Sequence, residues 1–365
     1  MTPYQTFDPA APDAGTPRRR VHAAIPDDRD MMRAAAELTR DIAEARPAIY
    51  WPDMLGSAAL GYAALAGAIL AHSTWLVLAC GLVAVLALYR ALLFIHEITH
   101  LHRNALPGFR LVWNLLVGIP MLTPSFMYEA VHTLHHARTR YGTVEDPEYL
   151  PLALMKPWSL PAFILVALLA PPALVIRFAL LTPLGLVIPK LRTFVWERFS
   201  SLSINPAFRR RPAEGELKRR FFWQELGASL WAMVLMASVL VLGWHPLLVA
   251  LAVFSFVALL NQLRTLVAHL WENNGEAMTV TAQYLDSVNV PPPGLVPALW
   301  APVGLRYHAL HHLMPSMPYH SLGEAHRRLR AELAPDTTFW QANHKGMTLL
   351  LVRIARSTMS RSGER

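Results

Sequence analysis

Four apolar stretches constrain the fold of this chain more than any other feature of its sequence. Each is close to the roughly 20 residues that an α-helix needs to cross a bilayer. Charged residues make up only 16% of the 365 residues, against about 25% in soluble domains. The stretches come in two close pairs, which predict an all-α polytopic membrane protein with about four transmembrane helices in two hairpins: Met54–His72, Trp75–Ile95, Leu226–Trp244 and Pro246–Leu263.

The orientation of these hairpins is predicted by the loop that precedes the second one. Basic residues far outnumber acidic ones in Lys190–Arg220, as is typical of cytoplasmic loops. The apolar segment Pro161–Pro189 would then have both ends in the cytoplasm, so we expect it to lie in the membrane plane, to be re-entrant, or to cross twice. Leu111–Met127 contains two prolines and is predicted to be an interfacial or re-entrant piece.

The chain divides into three predicted regions. Residues 1–47 form a polar, mobile cytoplasmic extension, residues 48–340 the membrane domain, and residues 341–365 a basic C-terminal tail. The net charge of +8 is not gathered with aromatic residues into a nucleic-acid patch, so no nucleic-acid partner is expected. The single cysteine, Cys80, excludes a disulfide framework or a cysteine-ligated cluster within this chain.

Histidine is concentrated in three short clusters, all on the cytoplasmic side of the predicted topology. Residues three and four apart share a face of a helix, so each cluster presents several imidazoles together. Eight imidazoles exceed the four ligands of a structural zinc site and predict two metal ions. Imidazole suits iron, copper, nickel and zinc. The clusters are His96-x-x-x-His100, His132-x-x-His135-His136 and His308-x-x-His311-His312.

The sequence indicates the roles of other polar residues near these clusters less strongly. His269 follows the second hairpin by about one turn and is a candidate ninth ligand, whereas His102 leaves the helical face of the first cluster. Glu97, with His96 and His100, also fits the zinc-metalloprotease signature, but that interpretation leaves two clusters unexplained. Three acids are candidates to orient ligand imidazoles or are ordinary surface or capping groups: Glu97, Glu145 and Asp146. The isolated histidines are expected to be structural or solvated: His22, His72, His245, His320, His326 and His344.

Three histidine boxes placed after membrane hairpins resemble the integral-membrane fatty acid desaturase superfamily, and the resemblance runs from about residue 55 to 334. It includes Arg264–His269, Asp286–Asn289 and the run His311–His320, which is similar to the end of bacterial acyl-lipid desaturases. The resemblance implies two irons and O₂ as co-substrate, with nine ligands: His96, His100, His132, His135, His136, His269, His308, His311 and His312. The shorter first box and Thr265 depart from the stearoyl-CoA type and make an acyl-CoA substrate less expected.

The resemblance implies an O₂-dependent di-iron desaturase that acts on a fatty acyl chain, predicted to be lipid-linked. A related membrane hydroxylase or ketolase acting on an alkane, sterol or carotenoid is the alternative, and a metal transporter is less favoured because the predicted spans lack central ionisable residues. No flavin, haem or cysteine motif is present, so electrons are expected from a separate ferredoxin or cytochrome b5-like donor. The basic loop could attract such a donor or lie on anionic lipid. We expect the bacterial inner membrane, with the active site on the cytoplasmic face.

Overall fold

The structure is a computed structural model that describes residues 25–102 and 104–360. Its described part is helical and contains no β-strand beyond three isolated bridges. The α-helices are α1 Arg29–Leu38, α2 Pro47–Leu70, α3 Thr74–Leu92, α4 Phe94–His100, α5 Phe109–Trp113, α6 His132–His135, α7 Ser159–Leu165, α8 Ala170–Ile176, α9 Thr182–Val187, α10 Pro189–Phe199, α11 Gly215–Leu242, α12 His245–Leu266, α13 Val280–Asp286, α14 Pro297–Trp300, α15 His308–Leu313, α16 Tyr319–Glu332 and α17 Met347–Ser360.

Two long helical hairpins, α2 with α3 and α11 with α12, confirm the two predicted pairs. Large apolar side chains such as Trp75 (82% exposed) and Leu240 (89% exposed) cover their outer surfaces, as a hydrocarbon environment requires. Small residues bring α2 and α3 together, since a Cβ on Gly61 would lie 2.6 Å from Leu88 Cγ. Helix α11 begins eleven residues before the predicted Leu226, because hydropathy detects only the apolar part of a helix that continues beyond the bilayer.

Five helical segments of the described chain are long and apolar enough to cross a membrane, and the fifth is Ser159–Val187. It comprises α7, α8 and α9 joined by 3₁₀ and π turns. Pro171 and Pro172 do not break it because they lie in the first turn of α8, where no intrahelical N–H is needed.

Hydrogen bonds trace the course of this fifth segment across the second hairpin. The carbonyls of residues 163, 168 and 178 accept from Gln262, Ser255 and Ser229 in turn. At 1.5 Å per residue, these donors lie about 25, 15 and 20 Å from the turn between α11 and α12. The segment therefore packs first on α12 and then on α11, and its in-plane or re-entrant course stays a prediction.

The segment after α5 is too short to span a bilayer, as its prolines indicated. A π turn at Asn114–Gly118 follows α5, and the Asn114 carboxamide bonds the Ser125 amide at 2.8 Å and the Ser125 hydroxyl at 2.9 Å. Gln224 of α11 accepts from the Phe126 amide at 2.7 Å. These bonds hold the chain that leads into the second histidine cluster against the second hairpin.

The remaining helices form a cap over the end of the bundle where α4 and α12 finish. Part of the expected mobile extension is folded there: Met31 and Ala35 of α1 are buried in the same core as Leu322 and Leu329 of α16. Asp28 caps α1 by accepting from the Met31 amide at 2.9 Å. The apolar spacing of α1 produces this packing, while residues 1–24 lie outside the described chain.

The segment predicted as a basic tail also contains a docked helix. Leu350 and Ile354 of α17 are 1% and 2% exposed, and their spacing of four residues places them on one face. Ser357 donates to the Ala153 carbonyl at 3.3 Å. The basic composition of residues 341–365 concealed this apolar face, so α17 belongs to the cap.

Candidate metal centre

Nine histidines meet where the cap joins the helix bundle, and they are the nine that the sequence resemblance named. Helices α4, α6 and α15 carry the three boxes, and His269 follows α12. In each of two groups, the ligand nitrogens lie within 4.8 Å of one another. The five-histidine group is His96, His100, His132, His136 and His311; the four-histidine group is His135, His269, His308 and His312.

The two H-x-x-H-H boxes divide their histidines between the groups in opposite ways. His132 and His136, four residues apart, enter the five-histidine group, while His135 enters the other. In α15 the i and i+4 pair joins the four-histidine group, and His311 joins the first. Neighbouring imidazoles of one box diverge because successive residues are rotated by about 100° around a helix. The rings of His136 and His312 are only 4.3 Å apart, so the groups are adjacent.

The spacing of the ring nitrogens fits bound metal ions. The Nε2 atom of His136 lies 3.0 Å from that of His132 and 3.2 Å from that of His311. In the other group, His308 Nε2 lies 3.0 Å from His269 Nε2 and 3.3 Å from His312 Nε2. Two nitrogens at about 2.1 Å from one ion and at right angles are about 3.0 Å apart. Five nitrogens converge in one group, which exceeds the usual four of zinc.

The burial and protonation of these imidazoles support the same fit. Both ring nitrogens of His96 are buried without a hydrogen-bond partner, although the residue is only 3% exposed. Burial lowers the pKa values of His132, His136, His269 and His312 well below the ordinary histidine value. A neutral imidazole has a nitrogen lone pair, which is the form that binds metal. The converging Nε2 atoms are satisfied by a shared cation.

Buried carboxylates bind the opposite ring nitrogens of the second box. Asp146 accepts from His135 Nδ1, at 3.0 and 3.1 Å to its two oxygens. Glu148 lies 2.8 Å from His132 Nδ1 and also accepts from the Tyr128 hydroxyl at 2.9 Å. Burial raises the pKa of Glu148 to about 7. Burial alone would lower the pKa of His135, but Asp146 raises it above the ordinary value. These contacts orient each Nε2 toward its group.

The Asp286–Asn289 motif positions the ninth histidine and the third box together. Main-chain bonds from Leu270 to Asp286 (2.7 Å) and from Val288 to Ala268 (2.9 Å) pair the two extended segments beside His269. His269 Nδ1 contacts the Tyr141 hydroxyl at 2.9 Å, and that hydroxyl donates to Asp286 at 2.9 Å. The Asn289 side chain accepts from the Leu310 amide of α15 at 3.0 Å.

The three acids that were candidates to orient imidazoles make different contacts in the structure. Asp146 contacts a ring nitrogen as expected, whereas the exposed Glu145 pairs with Arg140 at 2.8 Å. Glu97 lies 3.7 Å from His96 Nδ1 but bonds the Tyr50 hydroxyl and the Tyr319 amide instead. Sequence reasoning missed several groups that contact ring nitrogens or their partners, among them Glu148, Tyr141 and Asp286. Glu148 had a signal, since it lies two residues after Asp146 in the same acidic run.

The other described histidines lie outside both groups. His102 is exposed and accepts from the Asn104 amide at 3.4 Å. His326 bonds Asn343 at 2.9 Å, and His320 accepts from the Arg46 amide at 3.2 Å. These contacts are structural, as expected for isolated histidines, while His22 lies outside the described residues.

Replacing Asp146 with asparagine is expected to weaken metal binding by about 10–100-fold, because loss of an outer-sphere partner of a ligand histidine typically has this effect. The buried Asp146 also accepts from the Gly142 amide at 2.8 Å, so an asparagine amide group would face a donor. Metal per chain, measured by elemental analysis after dialysis against graded chelator, tests this expectation. Glu145→Gln is the matched control, since the neighbouring acid is 59% exposed. Equal metal retention in both variants would contradict the assignment.

Comparison with known proteins agrees with this geometry. The family model described as Fatty acid desaturase matches residues 73–343. A curated relative, the "Ceramide hydroxylase" of Caulobacter vibrioides (strain NA1000 / CB15N), is 45% identical over 340 residues, which cover 92% of this chain and 96% of that protein. No solved structure matches the chain. With two helical hairpins, nine clustered histidines and a family match over most of its length, the chain belongs to the fatty acid desaturase family.

Proposed function

We propose that this protein is a membrane hydroxylase that inserts one oxygen atom into a C–H bond of a ceramide or a closely similar sphingolipid. The observation that carries the proposal is the 45% identity to a ceramide hydroxylase over nearly the full length of both chains. Such coverage includes the membrane hairpins and the cap as well as the histidine boxes. The identity favours the hydroxylase alternative over desaturation, with a ceramide in place of the alkane, sterol or carotenoid named for it.

The reaction balances with O₂ and two electrons. One oxygen atom enters the C–H bond to give an alcohol, and the other leaves as water after uptake of two electrons and two protons. In this proposal the five-histidine and four-histidine groups each hold one iron, and the two irons supply the activation of O₂ that an unactivated C–H bond requires. Nine imidazoles bring no negative charge to the irons, unlike a carboxylate-rich site.

The protein's own residues hold the histidine rings in place and exclude bulk water from the site. His132, His135 and His269 are held through their Nδ1 atoms by buried acids and Tyr141, so their orientation is set before substrate arrives. Most of the nine rings are 1–4% exposed. A site closed to bulk water protects a reactive oxidant from side reactions.

Desaturation and hydroxylation share their first event, the removal of one hydrogen from the chain. They differ in the second event, which is either oxygen transfer to the same carbon or removal of a second hydrogen from its neighbour. The outcome depends on how the chain is held relative to the oxidant, and histidine spacing does not encode that placement. A relative of known reaction is therefore the stronger guide.

Electrons are proposed to come from a separate redox protein. The basic loop Lys190–Arg220 is less available for docking than its sequence indicated, because several of its cations bond acidic side chains or main-chain carbonyls of the protein itself. Exposed basic residues remain at five positions of the loop: Lys190, Arg198, Arg211, Lys218 and Arg219. The inward cations are Arg192 on Glu225, Arg220 on the Glu129 side chain and Arg210 on the Glu129 carbonyl. We further propose a bacterial inner-membrane location with the cap in the cytoplasm, as the basic loop favours.

The decisive experiment is a sphingolipid profile of a ceramide-containing host that expresses the protein with a redox partner under heavy-isotope oxygen gas. The expected product is a ceramide that gains one labelled oxygen atom. A ceramide that loses two hydrogens and gains no label would return the function to desaturation. Labelled oxygen in alkanes, sterols or carotenoids, with ceramide unchanged, would move the substrate to another lipid class.

A further inference from the structure

A cleft on the lipid-facing side of the first hairpin has the character of a lipid headgroup site. It lies between α2, α3 and α14 and has a volume of about 550 Å³. Its walls are apolar and include Leu60, Val83 and Leu299, two of which are more than half exposed to the surroundings. We call this cleft the α2–α3 groove.

The base of the groove is polar and charged. Asp53 and Arg90 form a two-point ion pair across the hairpin, at 2.6 Å to the guanidinium Nε and 2.5 Å to Nη2. The Ser57 hydroxyl donates to Asp53 at 3.4 Å. The pair is partly open to the groove, since the Arg90 side chain is 36% exposed and that of Asp53 17%. Arg90 is therefore held by an acid within the hairpin.

An acid inside a membrane helix is costly and in general marks a functional position. Arg90 could reach the headgroup region by itself, so Asp53 is not needed to tolerate it. The pair lies in the second turn of α2 and the last turn of α3, at the end of the hairpin nearer the histidine groups. Its net charge is close to zero, and it offers both a hydrogen-bond acceptor and several donors.

The groove is linked directly to the residues around the metal centre. The Tyr319 hydroxyl donates to Asp53 at 2.6 Å, and the Tyr319 amide donates to Glu97 at 3.1 Å. Glu97 in turn lies beside His96 of the five-histidine group. Tyr319 therefore touches the groove with its side chain and the first histidine box through its main chain.

We propose that the α2–α3 groove binds the headgroup of the ceramide substrate, an assignment that rests on the proposed function. A ceramide hydroxyl replaces the long Ser57 contact on Asp53, the amide carbonyl accepts from Arg90, and the first methylenes of the chains lie along Leu60, Val83 and Leu299. A neutral headgroup with both donors and acceptors matches a neutral ion pair. An anionic phospholipid is disfavoured because its phosphate would lie against Asp53.

Two glycines provide a matched test. A Cβ on Gly56, which lines the groove, has no atom within 4 Å, and the same holds for Gly81 of α3, which does not line it. Gly56→Phe is expected to fill the groove without a steric clash in the fold, and Gly81→Phe adds the same bulk elsewhere. Leu299→Trp, with the more exposed Leu295→Trp as its control, narrows the groove from α14.

The readout is photolabelling in phosphatidylcholine vesicles by a ceramide with a diazirine next to its amide. Label should map to residues 52–60 and 83–90 and fall at least about tenfold in Gly56→Phe and Leu299→Trp, because charge-assisted hydrogen bonds are lost. The two control variants should label like the wild type. Unlabelled ceramide should compete, and phosphatidylglycerol should not.

The outcomes separate the groove from the reaction. Label outside the groove, label unchanged in both groove variants, or equal competition by phosphatidylglycerol would overturn the headgroup assignment even if ceramide is hydroxylated. Groove-directed label that responds to Gly56→Phe would uphold the headgroup assignment even if the wild-type protein does not oxidise ceramide. In that case only the proposed hydroxylation would be contradicted.

Discussion

His312→Ala is expected to release about one metal ion per chain, whereas the neighbouring His311→Ala retains more metal yet loses product formation. The two residues are adjacent in α15 but belong to different groups. Loss of His312 leaves three nitrogens in the four-histidine group, one fewer than a closed four-ligand site has. Loss of His311 leaves four nitrogens, which is enough to hold an ion. Product formation should fall by at least about a hundredfold in both variants. Replacing a residue that only hydrogen-bonds to a metal ligand typically lowers metal affinity or activity by about 10–100-fold, and loss of a ligand itself is expected to have a larger effect.

Iron per chain by elemental analysis, together with product yield, measures both effects. His102→Ala is the control, because this exposed histidine follows the first box but lies outside both groups. Wild type and control should bind close to two irons per chain. If His311→Ala and His312→Ala retain equal iron, the division of the boxes into two groups is wrong. If neither variant loses activity, the histidines are not the ligands.

Glu225→Leu is expected to lower the free energy of unfolding by about 3–5 kcal/mol, because it leaves a buried guanidinium without its partner. Arg177 is 2% exposed, Glu225 is 3% exposed, and their side chains bond at 2.6 Å. Arg192 bonds the other carboxylate oxygen at 2.5 Å. This cluster joins α11 to the fifth apolar segment, so its loss should also loosen α9 and α10.

Unfolding in mixed detergent and denaturant measures this change. The double variant Arg177→Met with Glu225→Leu removes both charges and should recover much of the stability, since apolar replacement of a buried pair is often neutral or stabilising. Asp30→Asn, at a pair with Arg33 that is largely exposed, should change little. A Glu225→Leu variant as stable as the wild type would mean that water reaches Arg177.

The parts of the fold that are encoded locally were predicted from the sequence. Apolar length alone indicated both hairpins, because crossing a bilayer imposes a minimum run of apolar residues. The nine histidines were found from their spacing and from resemblance, and the structure gathers all nine. Their role as ligands remains a prediction, which the iron measurements test. The docking of α1 and α17 was missed, because both segments were judged by their overall polar or basic composition and not by the apolar face that each helix carries.

The tyrosine partner of His269 was beyond the sequence, because the contact joins distant segments. Tyr141 reaches His269 across 128 residues, and its second partner Asp286 lies 145 residues away. No local periodicity reports such a contact. The choice between hydroxylation and desaturation likewise lies beyond the sequence pattern, since it depends on the placement of one carbon in space and not on the ligand set that both reactions share.

The sequence by itself determined that this is a helical membrane protein with three histidine boxes, since hydropathy and helical spacing act over a few turns of one segment. Only the tertiary structure decided which imidazoles share a group, which acids orient them, and that Asp53, Arg90 and Tyr319 meet at one groove. These features arise because packing brings together side chains that are far apart along the chain. The polar groups that it buries must then find partners among whatever neighbours the fold supplies.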